Sequence, residues 1–463
     1  MKISFVFSQG VHYFYYDRVV RSLHAMGHEI CIICQAGFSE DGNKSGRALL
    51  KLLQEESGIV MEDAVITRRK NPYWVELLRN LRDYAIFVRR EHPTPHIAPM
   101  WMGKELSARM LRRLELPLIR SFIASKAARN LFAFVESRIL PDDTIVDWFR
   151  KFQPQIVFAS PYVFRGDIEI EYTKAAQALK IPVIASLLSW DNLTSKGTYH
   201  VKPDWLFVWN QNLVEEAVQI HDFEPQKVFV TGAPVYDPWF DLSPSMDRAS
   251  FYDHVGLDPA KPYVLYLCSS KSISDHETDL IQMLIEQLAT VKEASRPSLV
   301  VRPHPFKDID ADRLESEWVR IFPRGGQRPD IDDARSIYYD SLYHSAAVIG
   351  INTTGFLETA ILDKPCLTLV TSMTSAGQEM RAHFRHLMNA GYIEVATGFP
   401  ELVEKTLADV SGVDACRENR KKFVRDFIRP HGMDVPASTV MSGGILAVAN
   451  GHNPSEWMME YHD

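Results

Sequence analysis

The chain has 463 residues with a formal charge of -8, 46% of them apolar and 24% charged, which excludes a disordered chain and is too long for one ordinary core, so two or three domains are expected. The acidic balance leaves no electrostatic footprint for wholesale nucleic-acid binding, and DNA is not an expected partner. Five cysteines are few and odd in number, which points to a reducing compartment, and with no apolar run near the ~20 residues that span a bilayer the expected location is cytoplasmic.

"KISFVFSQG" opens the chain as an apolar strand ending at Gly10, and "YFYYDRVVRSLHAMGHEI" repeats apolar residues at helical spacing up to Gly27. "CIICQ" follows as a second strand, the opening βαβ unit of a parallel, doubly wound sheet. Its Cys31 and Cys34 are three apart in a strand, point to opposite faces, and read as buried strand cysteines rather than a redox or metal pair. Residues 45–150 are largely helical in pattern and form an insertion. Alternation then resumes through "PQIVFAS", "IPVIASL", "PDWLFVWN" and "KVFVTG", so a first domain spans residues 1–240. Residues 241–262 lack sustained periodicity and are taken as a linker. A second series, "YVLYLCSS", "SLVVRPHP", "VIGINTT" and "PCLTLV", fills a second domain over 263–420, and 421–463 is a helical tail that crosses back to the first domain. The expected fold is α/β: two Rossmann-like doubly wound domains facing across a cleft, with a helical insertion in the first.

In such sheets ligands sit beyond the carboxyl ends of the strands, so the chemistry is expected in the loops there. In "VVRPHP", Pro303 and Pro305 remove backbone donors and end the strand, leaving Arg302 and His304 to meet an anion. In "GINTTGFLE", Asn352, Thr353 and Thr354 end a strand and Gly355 opens a helix, so hydroxyls and free amides can cradle phosphate, with Glu358 in the first turn. Simple helix capping is the plainer alternative. Ser269, Ser270 and Lys271 follow the first strand of the second domain and offer a further diphosphate contact or a solvated turn. Arg381, His383, Arg385 and His386 are either donor contacts or a basic face. In the first domain His12 is a candidate general base or a helix-capping histidine. Asp191 and Asn192 in "SWDNLTSKG" are a second base or acceptor clamp, or a stabilised turn, and Trp190 offers a face for stacking. Gly232 reads as structural.

The paired halves, "GHE", "RPHP" and "NTTGFLETAILDKPCL" resemble GT-B glycosyltransferases, nearest to the capsule and teichoic-acid group that includes CDP-glycerol glycerophosphotransferases. The resemblance implies that His304 contacts the donor phosphate and assists leaving-group departure, that Thr353 and Thr354 hold the phosphates, and that Glu358 meets the donor ribose. The acidic D/E-D/E-G motif of bacterial sialyltransferases is missing, so their catalytic base does not carry over.

The leading expectation is a metal-independent transferase moving a glycosyl or polyol-phosphate group from a nucleotide-sugar donor to a glycan or lipid-linked acceptor hydroxyl, in cell-surface polysaccharide biosynthesis. No cofactor is expected beyond the nucleotide-activated donor, which is a substrate. The insertion's basic helices offer a surface for peripheral membrane association, against the plainer reading of solvated helix faces. The alternative enzyme is a non-hydrolysing nucleotide-sugar 2-epimerase; a non-catalytic nucleotide-sugar-binding protein is the third reading.

Overall fold

The computed structural model describes the chain apart from residues 35–54, 56–58, 66–71, 95–97, 99–101, 104, 164–167, 272, 275, 308, 328–331, 379–380 and 463. The described residues divide into two compact units, Met1–Val235 with Phe427–Asp463, and Tyr236–Asp426.

The first unit holds β1 (Lys2–Phe7), β2 (Glu29–Cys34), β3 (Val60–Asp63), β4 (Ile156–Ser160), β5 (Val183–Ser186), β6 (Trp205–Val208) and β7 (Val228–Val230). They pair in parallel in the order β3-β2-β1-β4-β5-β6-β7. The second holds β8 (Tyr263–Leu267), β9 (Ser298–Arg302), β10 (Val319–Ile321), β11 (Ala347–Gly350), β12 (Cys366–Leu369) and β13 (Ile393–Ala396). These too are parallel, in the order β10-β9-β8-β11-β12-β13. Each sheet starts centrally and winds outward both ways, which is the doubly wound α/β architecture expected from the alternating pattern. The central strands are near-continuous apolar runs because helices cover both faces: every residue of β4, β5, β8 and β9 is buried. Cys31 and Cys34 are buried thiols of β2, and burial pushes the Cys31 thiol up to about 12, far from reactive range.

Helix Ala437–Ala449 packs on the first sheet, with Val440, Met441 and Ile445 joining Phe5, Phe158, Phe207 and Phe229 in one core. Close approach requires glycine here, since a Cβ on Gly444 would lie 2.7 Å from Phe229 Cε1.

Residues 45–150 are not purely helical. β3 lies within them as an edge strand, and helix Asp143–Phe152 leads straight into β4; parts of the stretch fall outside the described residues. "VMED" escaped sequence reading because an edge strand of four residues, two of them acidic, carries no apolar run. β10 and β13 escaped for the same reason of brevity. Residues 241–262 are also not a free linker. Helix Arg248–Val255, capped by Asp247 accepting from Ser250 N at 2.8 Å, buries Phe251 and Tyr252 against Tyr263 of β8.

Candidate functional site

The strand order of the second sheet reverses at β8 and β11, so the loops beyond their carboxyl ends flank the natural ligand position of this architecture. These loops are tied to one another. Asn352 N donates to Ser269 Oγ at 3.3 Å, Asn352 Nδ2 to Gly377 O at 2.7 Å, and Gln378 Nε2 to Ile351 O at 2.8 Å. Ser269 N in turn donates to the fully buried Glu277 carboxylate, which Lys307 Nζ meets at 2.7 Å. Burial raises the Glu277 pKa, and Lys307 opposes that shift. Ser269 and Asn352, expected as donor ligands, are thus buried struts whose polar atoms hold loops together. The Ser270 carbonyl likewise closes a turn by accepting from Ile273 N and Ser274 N. Nothing local in "YLCSS" or "GINTT" reveals this, because the partners lie on other loops. Glu277 and Lys307, which anchor the arrangement, were missed; an acid in a helix's first turn was their only signal.

Arg302 ends β9 at 5% exposure, and among the described residues both of its terminal nitrogens lack a hydrogen-bond partner. Its guanidinium sits over the Tyr338 ring, 4.8 Å from the centroid, and burial pulls its pKa down to about 10. A buried cation with unused donors is costly to leave that way, and an anionic ligand would compensate it. Glu358 is near enough to Tyr338 to raise the phenol's pKa; its Oε2 is shut off from water without a partner among the described residues, and burial pushes the carboxyl up to about 8, so it is protonated at neutral pH. A Cβ on Gly355 would fall 2.9 Å from Tyr338 Oη and 2.5 Å from Leu267 Cδ1, so only glycine lets helix Gly355–Ile361 approach so closely. Tyr338 was not foreseen, since its neighbours come from β9 and from the helix after β11.

His304 is half-buried. Phe306 N donates to its Nδ1 at 3.2 Å, which places the proton of the neutral ring on Nε2 and leaves that atom as a donor. Burial, reinforced by nearby Lys307, lowers its pKa, so the neutral form dominates near pH 7. The free-amide cradle expected at 352–355 is a different matter. Gly355 N donates to Thr353 Oγ1 at 3.2 Å, Phe356 N to Thr353 O at 3.3 Å and Leu357 N to Thr354 O at 2.9 Å. The helix start caps itself, and the groups left to meet an anion are side chains: Arg302, His304 and the exposed Thr354 hydroxyl.

Replacing Glu358 by glutamine tests its environment. A carboxyl whose pKa rises from 4.5 to about 8 on folding contributes stability fully below the unfolded pKa and loses it as pH rises through the folded one. The melting temperature of Glu358→Gln relative to wild type is therefore expected to climb between pH 4.5 and 8 and level off above; a pH-independent difference would show that the carboxyl titrates normally.

In the first unit, His12 lies in the short helix Gly10–Tyr15 beyond β1, buried, with Nδ1 3.2 Å from Ser8 Oγ. Burial pulls its pKa down to about 4, so it stays neutral but accepts a proton less readily than an exposed imidazole. Asp191 is committed to its own turn, accepting from Ser195 Oγ at 2.7 Å and facing Lys196 Nζ at 3.4 Å. Asn192 Oδ1 takes the Leu188 and Ser189 amides. Trp190 is buried edge-on to Phe427 and presents no face for stacking, because the loop folds inward on its own polar bonds. Arg381 is buried while Arg385 is exposed, so residues 381–386 are not one basic face. A pocket of about 220 Å³ opens beside helix Pro72–Phe87, lined by Asp83, Glu105, Tyr162, Lys196, Thr198 and His200. Asp83 Oδ1 accepts from Thr198 N at 2.8 Å and lies 3.4 Å from His200 Nε2. Among the described residues no cluster of His, Cys, Asp and Glu is grouped to hold a metal, and no helix is long and apolar enough to cross a membrane.

No protein-family model and no curated protein matches the chain. Solved structures do. A UDP-N-acetylglucosamine 2-epimerase described as putative, from Listeria monocytogenes, superposes with a TM-score of 0.56 at 12% identity, covering 98% of both chains. A glycosyltransferase from Rickettsia africae gives 0.52 at 12% identity over 96% of this chain and 98% of that one. The UDP-GlcNAc 2-epimerase of Neisseria meningitidis, solved with UDP-GlcNAc bound, gives 0.51 at 14% identity over 96% of this chain and all of that one. At such identities the likeness is one of fold, the two-domain Rossmann-like fold of the GT-B class. It carries nothing toward the capsule and teichoic-acid group.

Proposed function

We propose that the chain is an enzyme acting on a nucleoside-diphosphate sugar, and that it inverts the sugar at C2 without an acceptor, as a non-hydrolysing nucleotide-sugar 2-epimerase. The observation that carries the nucleotide part is Arg302, a buried guanidinium with two unused donor nitrogens at a strand's carboxyl end. A nucleoside diphosphate answers the open needs of this corner together: phosphate oxygens for Arg302, His304 Nε2–H and the Thr354 hydroxyl, and a ribose hydroxyl for Glu358. Epimerisation is favoured over transfer by the fold neighbours, several of which are UDP-GlcNAc 2-epimerases. The C2–H bond of such a sugar is not acidic alone; it breaks most readily as the C1–O bond cleaves, the C2 proton passing to a base, the C–H pair forming a C1=C2 double bond and the C1–O pair leaving with the diphosphate. Stabilising that departing charge is the task of Arg302 and His304. Re-addition at C1, with a proton returned to the other face of C2, completes inversion. Asp191, already paired with Lys196, is the poorer of the two base candidates in the first unit.

Glycosyl or polyol-phosphate transfer to a glycan or lipid-linked acceptor is the second reading, favoured by the polar pocket of the first unit, which is large enough for one sugar ring. The two separate in deuterated water with UDP-GlcNAc and no acceptor. The expected result by NMR is the C2 epimer carrying deuterium at C2. Unchanged sugar nucleotide that is consumed only when an acceptor is added would favour transfer, and tight binding without turnover under either condition would favour a binding protein.

A further inference from the structure

The inserted helices of the first unit turn an apolar face outward. Eight of the 18 exposed large apolar side chains among the described residues fall within residues 108–140. Helix Pro117–Ala124 buries Ile123 and exposes Leu118 and Phe122, one turn apart, Leu118 at 88%. Helix Lys126–Ser137 packs beside it and is inverted relative to a water-facing helix. Its inward side carries Ala128 and Glu136, the latter bonded to Arg79 and Lys174. Its outward side carries Leu131, Phe134 and Val135, and Leu140 just beyond is 83% exposed. Apolar residues at positions 131, 134 and 135 share one helical face, so this is a stripe and not scattered exposure.

The same stretch is basic. Residues 108–140 hold seven Lys and Arg against two Glu, a net of +5 in a chain of -8. Neither glutamate offsets the exposed charge: Glu136 is buried, and Glu115 is bonded to Arg120 and Tyr84. Arg109, Arg112, Arg113, Lys126 and Arg138 stay exposed, and the Arg138 guanidinium lies over the Phe134 ring, 4.7 Å from its centroid.

We propose that this face seats the protein on an anionic lipid surface, the apolar side chains entering the headgroup boundary and the basic residues meeting lipid phosphates. Charge selects this occupant. Two-fold pairing with a second copy would set these arginines against their own counterparts, whereas an anionic leaflet neutralises them, each near-surface Lys or Arg strengthening attraction by about fivefold. The inference is independent of which nucleotide sugar the chain takes.

Sedimentation of the full chain with phosphatidylcholine vesicles, with and without added phosphatidylglycerol, tests it. Wild type is expected to bind the anionic vesicles and to release with rising salt. Leu118→Ser with Phe122→Ser, both water-exposed and so neutral for folding, is expected to weaken binding about tenfold or more, with the melting temperature unchanged. Arg112→Glu with Arg113→Glu is expected to cause a similar loss on anionic vesicles alone. No preference for anionic vesicles would overturn the proposal, as would a wild-type dimer in light scattering that the Leu118→Ser, Phe122→Ser variant dissociates.

Discussion

Arg302→Met is expected to lower affinity for a nucleoside diphosphate by ~10²–10³-fold while raising the melting temperature of the ligand-free protein. The two effects have one cause. Arg302 is 5% exposed, its terminal nitrogens have no hydrogen-bond partner among the described residues, and its guanidinium stacks on Tyr338. Without ligand, the folded state bears the desolvation of a cation that the Tyr338 ring offsets only in part, and an apolar side chain of similar length removes that cost. With ligand, the same cation makes charge-assisted bonds worth ~2–5 kcal/mol, which the methionine cannot replace. Calorimetric titration with UDP and a thermal melt without it measure both arms. Retained affinity would remove Arg302 from the site, and unchanged affinity with lost stability would make it a structural residue.

Arg79→Ala is expected to destabilise the first unit by ~3–5 kcal/mol. Arg79 Nη2 meets Glu136 Oε1 at 2.8 Å and Glu171 Oε1 at 2.9 Å, all three side chains essentially buried. It joins helix Pro72–Phe87 to helices Lys126–Ser137 and Ile168–Ala178, so its loss takes a buried cationic partner from two carboxylates, with Lys174 Nζ still 2.8 Å from Glu136 Oε1. Glu136 shows the size of the interaction. Burial raises its pKa, yet Arg79 and Lys174 more than offset this and hold it down to about 2. A depressed pKa contributes stability above the unfolded value near 4.5 and loses it as pH falls toward 2. Urea melts at pH 7 and pH 3 read both effects: the Arg79→Ala loss is largest at pH 7 and shrinks in acid. A loss below about 1 kcal/mol at pH 7 would mean that Lys174 alone carries the cluster.

The helical insertion thus has an unusual division of labour, with the Arg79–Glu136 ion pair in the interior and much of its apolar surface outside. The sequence shows basic helices here, and amphipathic periodicity ordinarily turns the apolar stripe of such a helix to the core. Periodicity says that a stripe exists; it does not say which side of the helix meets the rest of the protein.

That distinction recurs at the candidate site. The sequence by itself determined the strands with continuous apolar runs, the doubly wound alternation, and the places where chemistry was worth seeking, because burial on both faces and proline after Arg302 are written locally. Arg302, His304 and Glu358 were singled out in this way. Only the tertiary structure decided which polar groups are already used. Ser269 Oγ accepts from Asn352 N while Asn352 Nδ2 donates to Gly377 O, Asp191 closes its own turn, Trp190 is covered, and the Gly355 amide is taken by Thr353 Oγ1. Tyr338 stands with Arg302 and Glu358 although 36 and 20 residues separate it from them in sequence. Hydrogen-bond satisfaction is a property of what folds against a residue, and for loop residues at a sheet's end those partners come from distant strands.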